Sequence, residues 1–128
     1  MKPGQLKEVI KKEYSKCAKD PVYFMKKYCV VQHPMKGKVP FHLYEYQEKS
    51  LQTFEDHRFN IILKARQLGL STLTAGYSLW MMTFHQDKNI LVIATKQDTA
   101  KNLVTKVRVM HANLPSWLKQ KCTEDNKL

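Results

Sequence analysis

Two short, almost wholly apolar runs constrain this chain most. They are RFNIILKA (58–65) and KNILVIAT (88–95), and both are rich in β-branched residues. Runs of this length and composition suit strands buried on both faces of a parallel sheet. Between them Leu73, Gly76, Tyr77, Trp80 and Phe84 recur at i, i+3, i+4, i+7 and i+11, the spacing of a helix with one inward face. After the second run, QDTAKNLVTKVRVMHANLP (97–115) repeats that pattern, with Ala100, Leu103, Val104, Val107 and Leu114 inward and Pro115 ending it. Strand, helix, strand, helix predicts an α/β fold with a parallel sheet joined by right-handed crossovers. Two strands are few for a sheet covered on both faces. The chain then passes into the polar stretch KQKCTEDNKL. The expectation is an incomplete domain.

Upstream of the first run the pattern is helical. Leu6, Val9, Ile10, Tyr14 and Cys17 share one face of a helix otherwise covered by Lys7, Lys11, Lys12, Lys16 and Lys19. Asp20 followed by Pro21 is a cap with proline at the first helical position, which predicts a second, short helix over PVYFMKKYC. In VVQHPMKGKVPFHL (30–43), Pro34, Gly37 and Pro40 predict an irregular, hairpin-like crossing. YEYQEKSLQTF (44–54) reads as a third helix, with Tyr44, Gln47, Leu51 and Phe54 on or near one face.

The charge narrows the partners. A net charge of +11 and a pI of about 9.6 on 128 residues favour a polyanion, through release of counterions from phosphates. No apolar run approaches the roughly 20 residues that cross a bilayer, so no membrane role is expected. The N-terminus lacks the apolar stretch of a signal peptide, which makes a cytoplasmic address the default. Cys17, Cys29 and Cys122 are far apart and odd in number, which fits buried or idle thiols rather than disulfides. The five histidines show no metal-ligand spacing.

The segment KARQLGLSTL (64–73) carries the chemistry. A glycine turn between a strand and a helix opened by hydroxyls can hold phosphate, because the first helical amides and the helix dipole face the anion. Gly69 supplies the turn, and Ser71 has the spacing of the magnesium-binding hydroxyl in G-x-x-x-x-G-K-[ST]. The loop departs from that pattern twice: Lys64 stands at the first glycine and Leu70 at the lysine. Lys64 and Arg66 put two cations at the start of the loop, beside the expected carboxyl edge of the sheet, where ligands bind in open α/β sheets. The plain alternative is an ordinary turn into a serine-opened helix.

Here the chain resembles the large terminase subunit of tailed bacteriophages, a DNA-packaging motor with an N-terminal ATPase domain and a C-terminal nuclease domain. The resemblance runs from about Asp20 to the end. It rests on KARQLGLSTL and on the order of DPVYFMKKY, VPFHLYEYQEKSL, RFNIILKARQLG and NILVIATKQDTAKNLVTKV. It implies a basic helical segment over 1–40 and, over 41–128, the N-terminal half of a P-loop, RecA-like ATPase domain with flanking helices. It implies a variant Walker A loop for ATP and Mg2+ formed by Arg66, Gln67, Leu68, Gly69, Leu70, Ser71 and Thr72. Arg66, with Lys64 second, would replace the displaced lysine, and the Ser71 hydroxyl would face the metal. FHLYEYQ is similar to an adenine-recognising Q motif. There Gln47 would read the base edge and Tyr46 or Phe41 would pack near it; otherwise Gln47 is an ordinary helix-surface glutamine. Glu45 stands where the family often has proline.

In ATKQD, Lys96 is a candidate DNA contact, while Thr95 or Asp98 would cap the next helix. Trp80 and Trp117 are expected in packing rather than base stacking. The implied partners are double-stranded DNA, a small terminase subunit and a portal protein, in the cytoplasm of an infected bacterial host. Such a motor also needs a carboxylate pair after a later strand. Asp87 precedes a strand, and Glu124 and Asp125 lie in the polar tail, so the chain alone is expected not to turn ATP over. The rival readings are a helicase-like DNA translocase and a non-catalytic basic module that uses its lysine-rich first helix.

Overall fold

The computed structural model describes residues 2–64 and 69–119. Among them stand α1 (Pro3–Lys19), α2 (Pro21–Tyr28), β1 (Val30–His33), β2 (Gly37–Pro40), α3 (Glu45–Asp56), α4 (Leu70–Phe84) and α5 (Gln97–Ala112). The Asp20 carboxylate accepts from the amides of Val22 and Tyr23, and Pro21 opens α2. These interactions separate the first two helices where the sequence predicts. β1 and β2 pair antiparallel with Val31 opposite Val39 and His33 opposite Gly37. The tip closes because His33 Nδ1 accepts from the amides of Met35 and Lys36, while Gly37 takes φ +73°.

Among the described residues the expected parallel sheet is not formed. The sheet among the described residues is this two-stranded antiparallel hairpin, and the fold is helical around it. The described residues of the two apolar runs lie outside any helix or strand and pair with no described strand. Ile61 and Leu63 are 101% exposed, and Leu91 and Ile93 are 82% and 84% exposed. A β-rich run specifies a local conformation; a buried strand also needs neighbours on both edges and cover on both faces. Here the helices pack on one another instead.

The core lies where α2 and α4 meet. Phe24 and Met25 of α2 bury against α4, whose Leu73, Ala75, Leu79 and Trp80 are buried together with Cys17, Leu51, Met110, Leu114 and Leu118. α4 also touches α3 and α5, so it buries more of its circumference than the one face read from spacing; Leu70, Ser78 and Thr83 are buried as well. Gly76 lets Met25 approach, since a Cβ there would stand 3.1 Å from its sulfur. Trp80 is core, donating its indole N–H to the Cys17 carbonyl at 2.7 Å, and Trp117 packs edge-on against Tyr28. On α1 only Cys17 is buried, while Leu6, Val9 and Tyr14 stay exposed. On α5 Val104 is likewise exposed. Both helices offer a helical face that the described residues only partly cover.

α1 is held to α2 by one carboxylate. Glu13 accepts from the Tyr28 hydroxyl at 2.6 Å, from the Tyr23 hydroxyl at 2.9 Å and from Lys27 Nζ at 3.0 Å. Lys26 and Glu48 form an ion pair between α2 and α3.

Candidate functional site

The start of α4 is built by two residues 22 apart in sequence. Gly69 is the N-cap of α4 and adopts the left-handed conformation, φ +70°. Its carbonyl accepts the first helical bond, from the Leu73 amide at 3.0 Å. It also accepts from Gln47 Nε2 at 3.4 Å, while Gln47 Oε1 accepts from the Tyr44 amide at 2.9 Å. One amide group thus joins the first turn of α3 to the first turn of α4. A Cβ at Gly69 would stand 2.7 Å from Gln47 Nε2, so glycine is required both by its φ and by this approach.

Gln47 is 2% exposed. It is no surface glutamine: its carbonyl caps α3 and its amino group supports the turn before α4. Beside it the rings of Tyr44 and Tyr46 stack at 5.7 Å and 7°, both exposed. Phe41, the other ring expected near a base, is buried in the core. Of this pair the sequence singles out Tyr46 as a ring near a base and does not single out Tyr44, which stacks on it. The aromatic–x–aromatic pattern before Gln47 was the signal that could have found it.

Leu70 stands where a phosphate loop carries its lysine, and it is a core residue, 7% exposed. A lysine at this position would give up that burial. Ser71 is exposed at the second position of α4. Thr72 lines a cleft of about 310 Å³ with Val31, Gln32, Thr105, Lys106 and Met110. Lys64 is exposed and lies outside any helix or strand. Arg66, Gln67 and Leu68 lie outside the described residues, as do Cys122, Glu124 and Asp125.

Lys96 is exposed and is itself the N-cap of α5. Neither Thr95 nor Asp98 caps that helix through its side chain; Asp98 sits in the first turn, where its charge complements the helix dipole. Magnesium would find the Ser71 hydroxyl at the α4 start, and the rest of its shell would have to come from phosphate and water oxygens. Among the described residues no group of three His, Cys, Asp or Glu is placed to hold a metal ion, and no helix is long and apolar enough to cross a membrane. Burial pushes the Cys17 and Cys29 thiols up, to about 11 and about 12, which removes them from nucleophilic chemistry near neutral pH. No family model matches the chain.

Proposed function

We propose that this chain holds the phosphates of a nucleotide at the start of α4, as the nucleotide-binding part of a motor that packages DNA. One observation carries the reading. Gln47, picked from a Q-motif-like segment, and Gly69, picked from a phosphate-loop-like segment, meet in a single hydrogen-bonded corner. The first amides of any helix lack helical partners, and Ser71 beside those of α4 is exposed. Tyr44 and Tyr46 offer a ring surface beside that corner for a base. ATP with Mg2+ is the ligand class that suits a helix start, a hydroxyl and a ring pair. The packaging motor, its double-stranded DNA and the portal and small-subunit partners rest on the terminase resemblance alone.

The test is a calorimetric titration of the 128-residue chain with a non-hydrolysable ATP analogue and magnesium. Weak binding that is lost in both Arg66→Ala and Tyr46→Ala and kept in Lys96→Ala supports the reading. Equal binding by all variants, or no heat for the wild type, sinks it. Steady-state turnover abolished by Arg66→Ala would overturn the expectation that the chain alone is inactive.

A second reading has its own observation. Lys7, Lys11, Lys12, Lys16 and Lys19 are all exposed along α1, and the first turn of that helix holds no acid. This is a strip of cations suited to a polyanion backbone. DNA binding that weakens with salt and ignores nucleotide would favour a non-catalytic basic module.

A further inference from the structure

The hairpin tip is closed by a side chain that can do so in only one protonation state. Pro34 has no amide hydrogen, so the tip Pro34–Lys36 has two, those of Met35 and Lys36. Both end on one nitrogen: His33 Nδ1 accepts from them at 3.1 Å and 3.0 Å. Asparagine and aspartate close turns in the same way, on the amides that follow them. A neutral imidazole accepts at one nitrogen and donates at the other, whereas an imidazolium donates at both and accepts at neither. His33 must therefore carry its proton on Nε2 for the tip to close. A second proton would go to Nδ1, where two N–H groups already point.

The hairpin offers nothing that would hold an imidazolium in place. Residues 30–40 contain no acid, while Lys36 stands in the tip and Lys38 on β2 opposite Gln32. α5, which packs on β1, brings Lys106 to the cleft that Gln32 lines. The other charged or titratable groups of α5 are Lys101, Arg108, His111 and, in its first turn, Asp98. α2, which packs on β2, brings Lys26 and Lys27, already paired with Glu48 and Glu13. Opening, by contrast, strands no buried group. Met35 is 91% exposed and Lys36 is exposed, so water can take both amides once the imidazole leaves.

We propose that His33 is a proton-operated latch: neutral, it closes the hairpin tip, and protonated, it releases it. Histidine ordinarily changes charge between about pH 5 and 8, so the closed tip belongs to the upper end of that range and the open tip to the lower. Release frees the His33–Gly37 pair first and reaches Gln32–Lys38 next. Gln32 lines the cleft of about 310 Å³ with Thr72 of α4 and Lys106 of α5, so a proton bound at the tip also loosens one wall of that cleft. This inference is independent of nucleotide binding.

The test is NMR spectroscopy of the isotope-labelled full chain from about pH 8 down to about pH 5. At the upper end the His33 ring is expected to carry its proton on Nε2. On acidification the amide resonances of Met35 and Lys36 are expected to move with the midpoint of the His33 ring itself. Their protection from hydrogen exchange, measured against an unstructured peptide at the same pH, is expected to fall about tenfold, as for the loss of two ordinary hydrogen bonds. His33→Asn keeps an acceptor beside the same amides and cannot gain a proton, so its tip should stay closed throughout. His33→Ala should leave both amides unprotected at every pH. The Glu13 clamp weakens only below about pH 4.5, outside this range. A proton on Nδ1 at the upper end, or tip amides that ignore the His33 titration, overturns the inference. So does the same pH response in His33→Asn, because another group then operates the tip.

Discussion

The side-chain amide of Gln47 stands between two helix starts, accepting from Tyr44 on α3 and donating to the Gly69 carbonyl before α4. These two bonds brace the corner while Ser71 stays open to solvent. It also makes Gly69 the position most sensitive to a single added carbon.

Gly69→Ala is expected to destabilise the fold. The left-handed φ costs a non-glycine residue roughly 1 kcal/mol or more, and the new Cβ would meet Gln47 Nε2 at 2.7 Å. Asparagine tolerates that φ but carries the same Cβ. Gly69→Asn should therefore recover only part of the loss in urea unfolding. Full recovery would show that the contact with Gln47 costs nothing.

Leu70→Lys would restore the G-x-x-x-x-G-K-[ST] spacing at this one position and is expected to harm the protein. The side chain is part of the core, so the substitution exchanges a buried aliphatic group for a charge that must reach water. A loss of about 2 kcal/mol or more is expected, at the low end of large-to-small core substitutions. Chemical unfolding monitored by circular dichroism reads it directly. A variant as stable as the wild type, with tighter ATP-analogue binding, would show that the lysine position is open after all.

Glu13 predicts how α1 responds to acid. The Tyr28 hydroxyl first, then Lys27, hold its carboxyl down from 4.5 to about 2. A folded value below the unfolded one means the clamp contributes fully above about pH 4.5 and loses its effect as pH falls toward 2. Glu13→Gln should flatten that part of the stability profile and leave the neutral-to-basic part with the same slope. Tyr28→Phe should move the acid transition to higher pH, because it removes the largest support of the charged form. An unchanged acid limb in Glu13→Gln would exclude this clamp as its source.

Trp80→Phe is expected to cost about 1–3 kcal/mol. The ring is replaced by a smaller one, and the buried Cys17 carbonyl loses the indole donor at 2.7 Å. The same variant should raise the rate at which Cys17 reacts with a thiol reagent, since α1 is held there by this bond. In the wild type Cys17 and Cys29 should react only on unfolding, given their burial and their raised thiol values of about 11 and 12. Mass spectrometry of alkylated peptides separates these two sites from Cys122.

Much of the local structure was legible in the chain. Asp20–Pro21 marks a helix boundary because a carboxylate acceptor and a fixed φ act within a few residues. The helical spacing around Leu73 and Trp80 marks α4 for the same local reason. Gly69 was recognisable as a turn because few other residues accept its backbone. Gln47 was recognisable as unusual, yet its role as a brace between two helix starts was not, because that depends on where α3 and α4 come to rest.

What the sequence determined by itself is therefore the set of helices, the Asp20 cap, the hairpin tip and the glycine turn, all set by interactions spanning one or two turns of chain. What the tertiary structure alone decided is how those pieces are used. RFNIILKA and KNILVIAT have the composition of buried strands, but strand burial depends on pairing and cover supplied from elsewhere. In this structure the helices supply their cover to one another, leaving Ile61, Leu63, Leu91 and Ile93 in water. The same long-range packing takes Leu70 into the core and brings Gln47 to Gly69.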